Sequence, residues 1–268
     1  MKTQIKWSLL TAAVVALGAC NSGQPTPPCA VGHGGYSAKY TLVAGSCTGT
    51  GCEAAPSATS GSCIRSGDII GVDKYRPTTA SGSQTVWLKA EPLAEAEFGT
   101  VAGDVSPGIG SGALAAATGD AQNFCNVPTV TAMTGTTLLG DTLTYTFSNV
   151  KFYMTGAVPG TQFKADLSIS GADCTARYTV DALYPVVFCP AFDANGDATG
   201  LGDVTACSAP DQWWSYVEAN PMFDMECAAT GNMAKDWDQA TLTNTDAFGL
   251  PVPHWLCVPK NAVPSVKP

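Results

Sequence analysis

The chain has 268 residues, a formal net charge of −9, 13% charged residues and 45% hydrophobic ones. So acidic a surface does not seek nucleic acid, and 28 glycines with 18 prolines suit many turns and short strands rather than long helices. The length permits one large β domain, or a domain with an appendage.

Residues 1–19 carry Lys2 and Lys6 ahead of an apolar run from Trp7 to Leu17, the pattern of a signal peptide and too short for an ordinary membrane span. The closing Leu17-Gly18-Ala19-Cys20 resembles the lipobox of bacterial lipoproteins. That resemblance implies cleavage before Cys20, a diacylglycerol on its sulfur and a palmitate-like acyl group on the new amino terminus. One acyl chain holds a protein only reversibly, whereas several hold it firmly. Asn21, where lipoproteins kept in the inner membrane often carry aspartate, implies the outer membrane. Cleavage removes two lysines and no acid, so the net charge moves from −9 to −11. Residues 20–30, with Pro25, Pro27 and Pro28 among small polar residues, read as a lipidated tether. No later segment approaches the roughly 20 consecutive apolar residues of a spanning helix.

Strand patterning starts at Tyr36, where Tyr36, Ala38, Tyr40 and Leu42 alternate with polar residues. Gly45–Gly67 reads as a loop stapled by its three cysteines. Strands are expected over Asp68–Tyr75 and Thr85–Ala90, and a helical turn over Pro92–Phe98. Gly99–Asp120 is a Gly/Ala-rich insertion without periodicity, expected to be mobile. Leu143, Tyr145 and Phe147 then share one parity and Val150, Phe152 and Met154 the other. A β-bulge near Ser148 and Asn149 accounts for the slip, with a tight hairpin as the alternative. Phe163, Ala165, Leu167 and Ile169 form a strand with one wet face. Cys174, Ala176, Tyr178 and Val180 continue on its antiparallel partner, and Leu183–Cys189 reads as a more fully buried strand. Trp87, on the parity of Thr85 and Lys89, is either a surface platform or a sign that both faces of its strand are covered.

Eleven cysteines less the lipidated Cys20 leave an even ten: Cys29, Cys47, Cys52, Cys63, Cys125, Cys174, Cys189, Cys207, Cys227 and Cys257. In an exported chain an even set implies up to five disulfides. Cys47 with Cys52 or Cys63, and Cys174 with Cys189, are short-loop candidates. Zinc is the weaker reading, because no close CxxC pair exists and the chain has only two histidines.

Beyond Pro190 the pattern becomes irregular and partly helical. Ser208 with Asp211 resembles a capping box that opens a short helix through Trp213, Trp214 and Val217. Asp193, Asn195, Asp197 and Asp203 place oxygen ligands on a glycine-containing loop, which is chemistry suited to a structural calcium ion. The aromatic cluster of Trp213, Trp214 and Tyr216, with nearby carboxylates, suggests a sugar-stacking surface. Hydrolase signatures are fragmentary. Gly32-His33-Gly34-Gly35 lacks an accompanying GxSxG elbow, and Ser148 with Lys151 spells SxxK on a strand, where a helix is needed. Gly108-Ile109-Gly110-Ser111-Gly112 lacks the lysine of a phosphate loop.

Cys125-Asn126-Val127-Pro128, Tyr145–Val150, Gly160–Leu167, Cys174–Tyr178 and Asn220-Pro221 ahead of Cys227 resemble uncharacterised Cys-rich lipoproteins of myxobacteria. The resemblance implies location and fold and carries no activity. The sequence thus predicts an all-β, disulfide-rich antiparallel β-sandwich over residues 31–190, with a Cys- and Trp-rich extension over 191–268 packed on it. The functional expectation is a non-enzymatic cell-envelope lipoprotein, a surface binding or structural module held to the membrane by Cys20, with a glycan or an envelope protein as partner. A calcium-stabilised lectin-like protein is the first alternative and a divergent envelope hydrolase the second.

Overall fold

The computed structural model describes residues 28–52, 62–75, 83–93, 108–137, 141–194, 198–208, 222–229 and 255–266. Its main body consists of β1 (Gly34–Leu42), β2 (Thr48–Gly49), β3 (Gly67–Tyr75), β4 (Thr85–Ala90), β5 (Ile109–Ala113), β6 (Phe124–Thr129), β7 (Met133–Thr136), β8 (Thr142–Met154), β9 (Pro159–Ser170) and β10 (Cys174–Leu183). All pair antiparallel in one sheet of order β5-β4-β3-β1-β10-β9-β8-β6, with β2 added to β10 and β7 to β8. The period-2 residues read from the sequence supply the core. Tyr36, Ala38, Ile70, Val86, Leu88, Phe152, Phe163, Leu167, Ala176 and Val180 are all buried inside it.

The fold is all-β, antiparallel and disulfide-rich, as expected, and the layers facing each other across the core belong to one continuous sheet. Tyr36 on β1 packs edge-on against Phe152 on β8, three strands away in the sheet order, at 6.3 Å between ring centroids. The edge strands then meet. Ala115 N–H donates to the Asn126 carbonyl at 2.8 Å and Thr131 N–H to the Ser111 carbonyl at 2.9 Å. A third bond runs from Ser111 N–H to Thr131 Oγ1 at 2.9 Å. These bonds close the sheet into a barrel and satisfy edge groups that would otherwise stand open.

Of the insertion expected to be mobile over Gly99–Asp120, residues 99–107 lie outside the described residues, and 108–120 correct the expectation because they form β5 and the seam. A strand whose side chains are Ile109, Ser111 and Ala113 separated by glycines has no hydrophobic parity to read. Its glycines are needed for close approach. A Cβ on Gly110 would lie 2.5 Å from the Thr131 carbonyl oxygen, and one on Gly112 would lie 2.3 Å from that of Thr129.

The parity slip in β8 is a bulge, and the strand runs unbroken through it. Ser148 pairs with Asp166 and Lys151 with Lys164, so three steps on β8 face two on β9. Asn149 takes a left-handed φ of 51°, which asparagine tolerates better than most residues. Leu183–Cys189 does not continue as a strand. β10 ends at Leu183, the chain turns at the cis Tyr184-Pro185 bond, and the backbone of Val187 and Cys189 instead bonds to the segment around Trp255–Cys257.

The ten cysteines form five disulfides: Cys29–Cys125, Cys47–Cys52, Cys63–Cys174, Cys189–Cys227 and Cys207–Cys257. Cys47 therefore joins Cys52 and not Cys63, and Cys174 does not join Cys189. Cys174 opens β10, which carries the chain about 30 Å to Leu183 at the rise of a strand before Cys189 is reached, whereas a disulfide spans less than about 7 Å between Cα atoms. In the chain-entropy view the two longest loops, with separations of 96 and 111 residues, contribute about 4–5 kcal/mol each.

The C-terminal elements are β11 (Pro190–Phe192), β12 (Ala198–Gly202), a 3-10 helix at Val204–Ser208, β13 (Met225–Ala229) and β14 (Trp255–Pro259). They share a second apolar cluster with the barrel, in which Val158, Leu183 and Val187 meet Phe223, Met225 and Cys257. Gln162 of β9 is fully buried beneath them. Its amide donates to the Ser265 carbonyl at 2.9 Å and accepts from Ser265 N–H at 3.0 Å, so neither end of the amide is left unpaired. Lys39 of β1 reaches Glu226 of β13 at 2.7 Å.

Gly112→Ala should destabilise the chain by about 1–3 kcal/mol in urea unfolding, the range for forced overpacking. Gly156→Ala, where an added Cβ meets nothing within 4 Å, should stay within about 0.5 kcal/mol of wild type.

Candidate functional site

Cys20, Asn195, Asp197, Trp213, Trp214 and Tyr216 lie outside the described residues, as does the helix expected after Ser208. Of the remaining expected calcium ligands, Asp193 follows β11 and is exposed, whereas Asp203 is engaged in its own turn. Asp203 Oδ1 accepts from the Thr205 hydroxyl at 2.7 Å and from Thr205 N–H at 2.8 Å. Those bonds hold its carboxyl below the usual range and tie it to the 3-10 helix beside it.

His33 sits on the surface with 80% of its side chain exposed, and its Nδ1 lies 2.8 Å from Asp73 Oδ1. The histidine's bond is the largest influence holding the Asp73 carboxyl low. Ser148 and Lys151 both fall outside the buried set of β8, because the bulge lies between them. Trp87 stands outward, 40% exposed, against Tyr75, which settles it as a surface residue.

Inside the barrel lies a polar cluster that periodicity alone does not reveal. Asp68 on β3 is 1% exposed and its Oδ2 accepts from the Tyr145 hydroxyl at 3.0 Å. Arg65 Nη1 is 4.0 Å from Oδ1, and the fully enclosed Tyr40 hydroxyl faces the same carboxylate. Tyr178 accepts from Arg65 N–H at 3.1 Å and donates to the Cys63 carbonyl. Desolvation pushes the Asp68 carboxyl up to about 6, and the attraction of Arg65 offsets this only in part. The signal in the sequence was an aspartate at the head of an apolar strand, next to Arg65.

The outer faces of β8, β9 and β10 form a groove of about 360 Å³ open to solvent. Strand register builds it. Thr146 pairs with Ser168, and Ser168 with Arg177, so one row of side chains crosses three strands; Ser148 and Asp166 form the next row. Thr146, Ser148 and Ser168 line the groove together with Arg177, Asp166, Val43, Leu167 and Tyr178, and carbon makes up most of its exposed wall. Asn149, turned outward by the bulge, donates to Asp166 Oδ2 at 2.7 Å and fixes that carboxylate at the rim. The Arg177 guanidinium makes no ion pair among the described residues.

The buried carboxyl gives a signed expectation for stability. A folded value of about 6 lies above the ordinary aspartate value of about 3.9, so the folded state binds a proton that the unfolded state has released. Stability should therefore fall as pH rises through 4 to 6, by about 3 kcal/mol at most, and regain that amount on acidification. The low-lying carboxyls of Asp73, Asp120 and Asp203 act at more acid pH. Urea unfolding should give a higher midpoint at pH 5 than at pH 7, and Asp68→Asn should flatten that slope.

A Myxococcus xanthus protein described as "Putative lipoprotein MlpA" is 24% identical over 273 residues, covering 97% of this chain and 99% of that protein. No solved structure matches. The profile of the MlpA family matches residues 34–185, the span that begins with β1 and ends just after β10. The match spans the barrel that carries both the groove and the buried aspartate, more than half of the chain, and the chain belongs to the MlpA family.

Proposed function

We propose that this chain is an outer-membrane lipoprotein, anchored through Cys20, that works by binding a ligand in the groove across β8, β9 and β10. The lipobox-like Leu17-Gly18-Ala19-Cys20 supports the anchor, as does the lipoprotein description of the Myxococcus relative. The observation that carries the binding part is the state of Arg177. A guanidinium beside a row of hydroxyl side chains, with no ion-pair partner of its own among the described residues, suits a carboxylate on an extended ligand such as a peptide segment of an envelope protein. Asp166, held by Asn149, supplies an acceptor for a backbone or side-chain donor of the same ligand.

The hydrolase alternative gains little from His33 and Asp73, because among the described residues no serine or thiol nucleophile bonds to the imidazole. The sugar-binding alternative through Trp213, Trp214 and Tyr216, with its possible calcium loop, draws nothing from the groove.

Cys20→Ser should move the protein from the membrane fraction to the soluble one, and retention in the membrane would remove the anchor. A photo-crosslinking residue at Thr146 should give a discrete adduct in intact cells that Arg177→Glu abolishes. An adduct indifferent to Arg177→Glu would place the ligand elsewhere, and labelling by a serine-hydrolase probe would restore the enzymatic reading.

A further inference from the structure

We propose that the outer face of β3 and β4 around Tyr75 and Trp87 is a membrane-seating surface, on which the barrel rests against the lipid headgroups. This rests on the anchor reading above and concerns a different face from the groove. Tyr75 is 57% exposed and Trp87 40% exposed, with ring centroids 5.9 Å apart in an edge-on arrangement. The indole stands clear because its cross-strand neighbours are short: Asp73 faces it from β3 and Ser111 from β5. Exposed rings of this size, side by side, are the exception on a soluble surface. Tyrosine and tryptophan are the residues that concentrate at the boundary of lipid and water, where ring faces bury and polar tips stay wet.

Position selects the bilayer as the occupant. The N-terminal segment joins the barrel at the same end as these rings. Pro28 bridges to Thr118, the Lys74 ammonium donates to the Cys29 carbonyl, and His33 bonds Asp73. Tyr75 follows Lys74 directly, and Asp73 pairs with Trp87. Eight residue steps separate Cys20 from Pro28, a reach of at most about 26–29 Å when fully extended. The lipid on Cys20 therefore keeps this end of the barrel close to the membrane, whatever the orientation of the far end.

Charge agrees with this. In a chain of net charge −9, β3, β4 and β5 carry only two acids, Asp68 and Asp73. Asp68 is sealed in the core. Asp73 Oδ1 accepts from His33 at 2.8 Å and from Lys74 N–H at 2.7 Å. With Oδ1 so engaged and Asp68 sealed in the core, Oδ2 of Asp73 is the one carboxylate acceptor that β3, β4 and β5 offer to the hydroxyls of a sugar stacked on Trp87. A lipid surface, which asks only for ring area and a tolerable charge, fits the patch better.

The test uses the full-length acylated protein reconstituted with phosphatidylcholine vesicles containing a dibrominated phosphatidylcholine, whose bromines quench nearby indoles. Wild type should sediment with the vesicles and lose more fluorescence than Trp87→Phe, and Tyr75→Ser should reduce that difference. Both variants change exposed side chains, and circular dichroism checks that they fold. If wild type and Trp87→Phe sediment alike and are quenched alike, the anchor stands and the seating surface does not. If wild type fails to sediment, the anchor and the seating fall together. A fluorescence change of Trp87 caused by soluble N-acetylglucosamine oligosaccharides, with no difference on vesicles, would give the face to a sugar and overturn the proposal.

Discussion

The constraint on which the rest depends is closure of one sheet at the seam between β5 and the β6–β7 segment. An open eight-strand path would leave two edges and a core exposed along its margin. The bonds at Ala115 and Thr131 remove both edges together, and the inward residues of every strand then enclose a single interior. That interior can hold Asp68, because Tyr145 approaches it from the opposite wall. Without closure the carboxylate would meet water and the cluster of tyrosines would have no reason to converge.

Closure also determines what the outside can be. A strand whose inward face is committed to a continuous core has only its outward face to vary, and alternation makes the two faces nearly independent. Serines and threonines accumulate outward on β8 and β9 without cost to the core. The bulge at Asn149 changes the phase of β8 once, so residues before and after it both keep apolar groups inside while a polar amide is delivered to the groove rim. The C-terminal elements cover another part of the outside, and the buried Gln162 shows how a polar residue there is accommodated by main-chain partners from a distant segment.

Where alternation was strong, the sequence was readable. β1, β3, β4, β9 and β10 fall close to their expected positions because each carries large apolar residues at every second site, and the phase slip in β8 located its bulge. β5 was invisible for the opposite reason: Gly110 and Gly112 have no side chains with which to alternate, and their value lies in what passes close to them. Disulfide pairing was only partly legible. Cys47 and Cys52 lie within one short loop, but the separation of Cys174 and Cys189 by five sequence triplets says nothing of the extended strand that carries them apart. Of the candidate site, Ser148 entered the sequence reading as a chemical candidate only in an SxxK spelling that was set aside, and Arg177 and Asp166 were not singled out, since a groove made by lateral register has no linear signature. Burial of Asp68 likewise depends on a wall contributed from 77 positions further along.

The Cys29–Cys125 bond lends the barrel a mechanical property. A pull arriving along the N-terminal segment reaches Cys29 before it reaches β1, and the covalent link passes the load into β6, which lies against β8. There it meets the five paired positions that join β6 to β8. Applied instead at Gly34, the same force would act on the β1–β3 ladder alone. A pull on the N-terminal segment is in this way divided between β1 and β6, which are separated by most of the width of the sheet, and neither strand bears it alone.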